Sequence, residues 1–100
     1  MFIYNITTKV EPDIINEWTR WQKEEHIPEI IATHLFKGYK FYQLLEQDDS
    51  DGSTFVIQFF IETEENYNEY IRVFAPSLRE TAIKKWGNRL VTYRSLMKVV

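Results

Sequence analysis

His26 is the residue of this chain best placed to move a proton. An imidazole titrates near neutrality, so a histidine beside a bound molecule can accept or donate a proton at physiological pH. His26 closes the run WTRWQKEEH, in which Trp18 and Trp21 stand three residues apart and Trp18, Gln22 and His26 follow one another at intervals of four. On a helix such spacings share a face, which sets a titratable group and an amide beside a broad aromatic surface. Pro28 has no backbone N–H and its ring crowds the preceding turn, so the helix is expected to stop there and leave His26 at a helix end. A plainer role is open at that position, because an imidazolium at a helix C-terminus interacts favourably with the dipole.

Other polar residues interrupt apolar surroundings. Asn5, Gln43 and Gln58 break otherwise apolar strands, and Asn5 and Gln58 lie side by side if the first and third strands are neighbours. Sparse amides on an apolar wall orient a small ligand, although buried amides also satisfy one another or trapped water. Arg94 could clamp a carboxylate in the interior or pair with an acidic residue at the rim. Trp18, Trp21, Tyr42 and Tyr70 could line an aromatic pocket or fill the core. The expected site is therefore His26 as the catalytic candidate, with Trp18, Trp21, Gln22, Asn5, Tyr42, Gln58 and Arg94 around a ligand. No metal site is expected: HxxxH and HExxH spacings are absent, and Glu24, Glu25 and His26 point apart on a helix. With three glycines in the chain, no Gly-rich phosphate loop and no GxSxG, no cofactor is implied.

One hundred residues, 44 % of them apolar, make one domain, residues 1–100, with a modest core. Aromatic residues reach 16 %, so some rings are expected to face a cavity or a partner subunit as well as the core. A net charge of -3 with both signs interspersed offers no basic stripe for phosphates, which argues against nucleic acid. The absence of cysteine removes thiolate chemistry and disulfides and fits a reducing compartment. No apolar run is long enough to span a bilayer, and the opening MFIYNITTKV has neither a basic n-region nor a cleavage site, so a cytoplasmic location without membrane attachment is expected.

The elements that must position these residues follow from periodicity. Phe2 to Val10 alternates Phe2, Tyr4, Ile6 and Val10 with a mixed second row, which reads as a strand. Glu11-Pro12-Asp13 starts a helix running to about Glu25, and Glu29 to Thr33 forms a further turn or two after Pro28. Tyr39 to Gln47 and Thr54 to Ile61 are strands, apolar in both parities, joined through Asp48 to Ser53 as a hairpin. Thr63 caps a helix carrying Tyr67, Tyr70, Ile71 and Phe74, Pro76 interrupts it, and a helix from about Pro76 to Trp86 ends at Gly87 as a left-handed stop. Leu90 to Val100 is the last strand.

Strand, helix, strand, strand, helix, strand is the βαββαβ order of the α+β, ferredoxin-like plan: a four-stranded antiparallel sheet with its helices on one face. Helices cover one face only, yet three strands are apolar on both. The open face would leave a large apolar patch in water, so a second copy is expected to cover it, sheet against sheet, with an interior enclosed between the subunits.

The pattern WxxWxxxxHIPEIIAT, the hairpin turn from Gln47 to Gly52 and the closing run from Ala75 to Val100 resemble the DUF4286 family, small proteins related to the dimeric α/β barrels, over nearly the whole chain. Phe74 departs from that pattern, since a histidine often precedes the Ala-Pro pair. The resemblance implies the fold and a homodimer, and a histidine that often faces the pocket from the end of the first helix. Its wider relatives include cofactor-free monooxygenases, an isomerase, haem-degrading enzymes and proteins without known chemistry, so it does not imply a reaction. Two classes of function stand: a small-molecule site for an apolar or aromatic compound, with monooxygenase- or isomerase-like chemistry or simple binding, and a structural or interaction module with a filled interior. A connected cavity with His26 on its wall distinguishes them.

Overall fold

A computed structural model describes residues 1–100. Four strands, β1 (Phe2–Val10), β2 (Gly38–Gln43), β3 (Ser53–Ile61) and β4 (Leu90–Lys98), pair antiparallel in the order β2-β3-β1-β4. This is the ferredoxin-like sheet. Register sets the two faces. In β1, Tyr4, Ile6, Thr8 and Val10 face the helices opposite Phe59, Ile57, Phe55 and Ser53 of β3, while Ile3, Asn5, Thr7 and Lys9 share the open face with Phe60, Gln58, Val56 and Thr54. Phe59 is fully buried on the helix side, so Phe60 and Val56 are the β3 residues that present apolar surface on the open face.

β2 is shorter than its composition predicts: regular pairing ends at Gln43, opposite Phe55, and Leu44 and Leu45 are exposed in the hairpin. At the far end of that hairpin Gly52 has φ 143°, and a Cβ there would collide with the carbonyl of Val10, so the chain turns back onto β1 only with glycine.

The first helical stretch comprises a short 3₁₀ turn at Pro12–Ile14, α1 (Ile15–Trp21), a π turn at Gln22–His26 and α2 (Ile27–Ile31). The second comprises α3 (Glu64–Glu69), a π turn at Tyr70–Phe74 and α4 (Ala75–Trp86). Thr63 caps α3 as expected, its Oγ1 accepting from Asn66 N at 3.1 Å, and Gly87 ends α4 with φ 61° while its N–H donates to Ile83 O at 2.8 Å.

The expectation that Pro28 stops the first helix is wrong, and so is the matching one for Pro76. His26 and Ile27 keep right-handed helical angles, and the helix passes through Pro28 by widening the turn before it: Ile27 N–H donates to Gln22 O, five residues back. Ala75 N–H does the same to Tyr70 O ahead of Pro76. A proline ring displaces the carbonyl four residues earlier, Glu24 or Arg72, and a π turn accommodates the displaced carbonyl. Packing holds the continued helix in place, since Ile27, Ile30 and Ala75 are each at most 2 % exposed. His26 is therefore inside a continuous helix and does not cap one.

Two aromatic clusters fill the space between sheet and helices. Tyr4, Phe36, Phe59 and Tyr70 pack together at one end, with the Phe36 and Tyr70 rings 4.9 Å apart. Trp18, Trp21, Phe55 and Trp86 occupy the other end with Val10 and Ile14.

Candidate functional site

Between these clusters, under the helices, lies a chamber of about 50 Å³. The sheet supplies its floor through Ile6 and Thr8 of β1, Ile57 and Phe59 of β3, and Thr92 of β4. Trp18, Trp21, Gln22, His26 and Ile30 wall it from the first helical stretch, and Ala82 closes it from α4. The π turn makes this grouping possible. Each residue of a π turn advances through a smaller angle than in an α-helix, so His26 is swung back over Trp18 and Gln22 where a straight helix would carry it past them.

Trp21 holds the imidazole: the rings stack at 4.4 Å between centroids with 19° between planes, and Trp86 meets the Trp21 ring edge-on at 5.7 Å. Burial pushes His26 down to about 4, and the positive charge of Arg94 adds to that effect, so the imidazole is neutral at pH 7. Its Nδ1 is buried without a partner, as are Trp18 Nε1 and Gln22 Oε1. On the floor Thr8 and Thr92, directly opposite one another in the β1–β4 register, approach through their hydroxyls at 3.4 Å. The chamber thus gathers donors and acceptors in a largely apolar shell.

Arg94 stands exposed at its mouth. Outside lies a vestibule of about 190 Å³ between α4 and β4, and the two spaces share Ala82, Leu90, Thr92 and Arg94.

Of the eight residues expected at the site, Trp18, Trp21, Gln22, His26 and Arg94 meet here. Asn5, Gln58 and Tyr42 do not, because the register puts them on the opposite face of the sheet. Asn5 and Gln58 are neighbours across β1 and β3 and satisfy one another, Gln58 Nε2 donating to Asn5 Oδ1 at 3.4 Å while Asn5 Nδ2 donates to Thr7 Oγ1 at 3.2 Å. The cavity that these residues wall lies between the helices and the sheet of one chain. Sequence reasoning missed Thr8, Thr92 and Arg79. Thr8 carried a signal, as the polar interruption in the Phe2, Tyr4, Ile6, Val10 row. No group of histidine, cysteine, aspartate or glutamate side chains is arranged to hold a metal. No helix is long and apolar enough to cross a membrane.

Three solved structures illustrate what the chain is similar to. A protein from Bacillus halodurans described as an ethyl tert-butyl ether D (EthD) family protein superposes with a TM-score of 0.74 at 13 % identity, covering 100 % of both chains. A candidate antibiotic biosynthesis monooxygenase from Deinococcus radiodurans does so at 0.69 and 12 % identity, over 100 % of this chain and 93 % of the other. A dimeric ferredoxin-like protein from an uncultured marine organism gives 0.68 at 14 % identity, over 100 % and 95 %. At such identities the likeness is one of fold. No curated protein matches in sequence. A family model described as a domain of unknown function, DUF4286, matches residues 1–100.

Proposed function

The chain belongs to the DUF4286 family, and from that premise we propose that it is a homodimeric barrel whose subunits each bind a small, mostly apolar or aromatic molecule in the cleft under the helices. The observation that carries this reading is the pair Gln22 Oε1 and His26 Nδ1, buried without partners on residues that wall a chamber with an open mouth. Leaving such an atom unsatisfied costs roughly 1–3 kcal/mol, a penalty that a ligand's polar groups relieve.

Size sets the pose. An apolar cavity of about 150 Å³ accepts benzene; the chamber is smaller than that and the vestibule is larger. The ring of the ligand sits in the vestibule, and a hydroxyl or carbonyl substituent reaches the chamber, where Gln22 Oε1 accepts from a hydroxyl. Neutral His26 hydrogen-bonds that substituent. As a base it is weak: with a conjugate acid near 4 it polarises the O–H of an enol or phenol by hydrogen bonding and leaves the proton on the ligand. Cofactor-free monooxygenase- or isomerase-like chemistry on such compounds is the reaction class that this donor set fits. The open sheet face supports the dimer: Ile3, Val56 and Phe60 lie at its centre, and Val91, Tyr93 and Met97 extend it along β4 with Tyr93 68 % exposed.

The small chamber favours one other reading, a structural or interaction module whose interior holds only water. Phenol, catechol and acetylacetone, titrated while the melting temperature is followed, separate the two. A ligand selective for the native state raises the melting temperature, and Gln22→Leu should abolish the rise. Sedimentation should show a dimer that Phe60→Arg dissociates. If none of the three compounds moves the melting temperature of the native protein, the module reading stands in its place.

A further inference from the structure

The vestibule carries charge that the ligand class above does not explain. Arg79 of α4 and Arg94 of β4 both wall it, together with the apolar side chains of Ala82, Ile83 and Leu90, and no acidic residue lines it. Neither guanidinium takes part in an ion pair; the pairs in the molecule use Lys9, Arg20, Lys37, Lys84 and Arg89. Arg79 is half-buried and oriented: its Nη2 donates to Tyr4 Oη at 3.0 Å, while its Nε is buried with no acceptor. Tyr4 is itself 1 % exposed within the packed aromatic cluster, so the hydrogen bond ties Arg79 to the buried core. Two unpaired cations at one cleft repel each other, and an anion between them removes that penalty.

We propose that the vestibule is a carboxylate-binding site, with Arg94 and Arg79 as the two cationic contacts and Tyr4 as the residue that positions Arg79. This inference rests on the small-molecule reading and names its substrate class: a compact aromatic or unsaturated monocarboxylic acid, carboxylate in the vestibule, with an uncharged polar substituent directed at Gln22 and His26. A guanidinium presents planar paired donors that match a carboxylate. The vestibule lies beside Gly87, at the C-terminal end of α4, where the helix carbonyls form the negative end of the dipole. The Gly87 N–H is already donated to Ile83 O, so no cradle of free backbone N–H groups awaits a phosphate. A planar monoanion fits this setting better than a phosphate dianion. Ala82, Ile83 and Leu90 cover the hydrocarbon part, and the wall shared with the chamber leads inward.

Calorimetric titration with salicylate, 4-hydroxybenzoate and 4-hydroxycinnamate, against their amides as neutral counterparts and phenyl phosphate as the competing anion, tests the inference on the intact protein. The carboxylates should bind at least tenfold more tightly than their amides and than phenyl phosphate. Arg94→Gln and Arg79→Gln should each lose at least tenfold in carboxylate affinity, Tyr4→Phe a smaller amount, and Arg72→Gln, on the adjoining π turn, none. The selectivity of the unaltered protein needs no variant and survives any that fails to fold. Amides that bind as tightly as acids and lose affinity in Gln22→Leu would overturn the carboxylate site while leaving the small-molecule cleft in place. Carboxylate binding that depends on both arginines yet ignores Gln22→Leu and His26→Ala would leave the anion site and remove the cleft reading. Tighter binding of phenyl phosphate overturns the assigned class, and no binding of any probe overturns both proposals.

Discussion

The two π turns, Gln22–His26 and Tyr70–Phe74, are the same backbone device used to opposite ends. Each is followed by one residue and a proline, and each closes with an N–H bonded five residues back. Tyr70 lines no cavity: its ring packs against Phe36 at 4.9 Å and Tyr4 at 5.8 Å, and the Tyr4 hydroxyl is bonded to Arg79. Around Gln22 the same geometry leaves a chamber, with Gln22 and His26 unpaired on its wall. The residues that close the two turns, His26 and Phe74, state the contrast in one position. A π turn ahead of a proline is thus a packing solution, and what makes one of them a candidate site is polar side chains placed where the fold provides no partner.

The largest test of this contrast is on the packed side. Phe36 is buried among Tyr4, Phe59 and Tyr70, with rings 6.3, 5.3 and 4.9 Å away, and it lines no cavity. Phe36→Ala should destabilise by about 3–5 kcal/mol in urea unfolding, the cost of lost burial plus the cavity left behind. A cost below 1 kcal/mol would show that this end is as loosely filled as the other.

Acid comes next. The folded-state value of His26, about 4, lies below its unfolded value of 6.5, so the folded protein binds fewer protons than the unfolded chain in between. The stability linked to this group is full above pH 6.5 and is lost as the pH falls towards 4, by about 3 kcal/mol in all. His26→Phe, which installs the residue found at the close of the other turn, should remove that part of the acid sensitivity. Identical stability profiles for the variant and the parent between pH 7 and 4 would place the imidazole in water.

The smallest effect has the opposite sign. Gln22→Leu replaces a buried amide whose oxygen has no partner by an apolar group of similar length, and should stabilise the protein by about 1 kcal/mol. Thermal melts at pH 7 read this directly. A loss of stability would mean that the amide is satisfied in solution, and the contrast between the two turns would shrink to one of shape.

The sequence by itself determined the order of elements, the ferredoxin-like plan and much of one wall of the site. Local rules suffice for these. Period-two alternation in Phe2–Val10, the Thr63 cap and the Gly87 stop are written in near neighbours, and the i, i+4 spacing already set Gln22 beside Trp18, a face to which the π turn then returned His26. Two matters were decided only by tertiary structure. The first is the path through Pro28: local chemistry forbids one hydrogen bond there but does not dictate whether the chain breaks or widens its turn, and the burial of Ile27 and Ile30 against the sheet selected widening. The second is which polar residues face the helices. Asn5 and Thr8 both interrupt apolar strand, and their side chains point to opposite faces because they lie three residues apart on a period of two. Which of those faces the helices covered depended on long-range packing of Trp18, Ile27, Ile30 and Tyr70, and it placed Thr8 with Thr92 on the chamber floor while Asn5 and Gln58 satisfied each other on the open face.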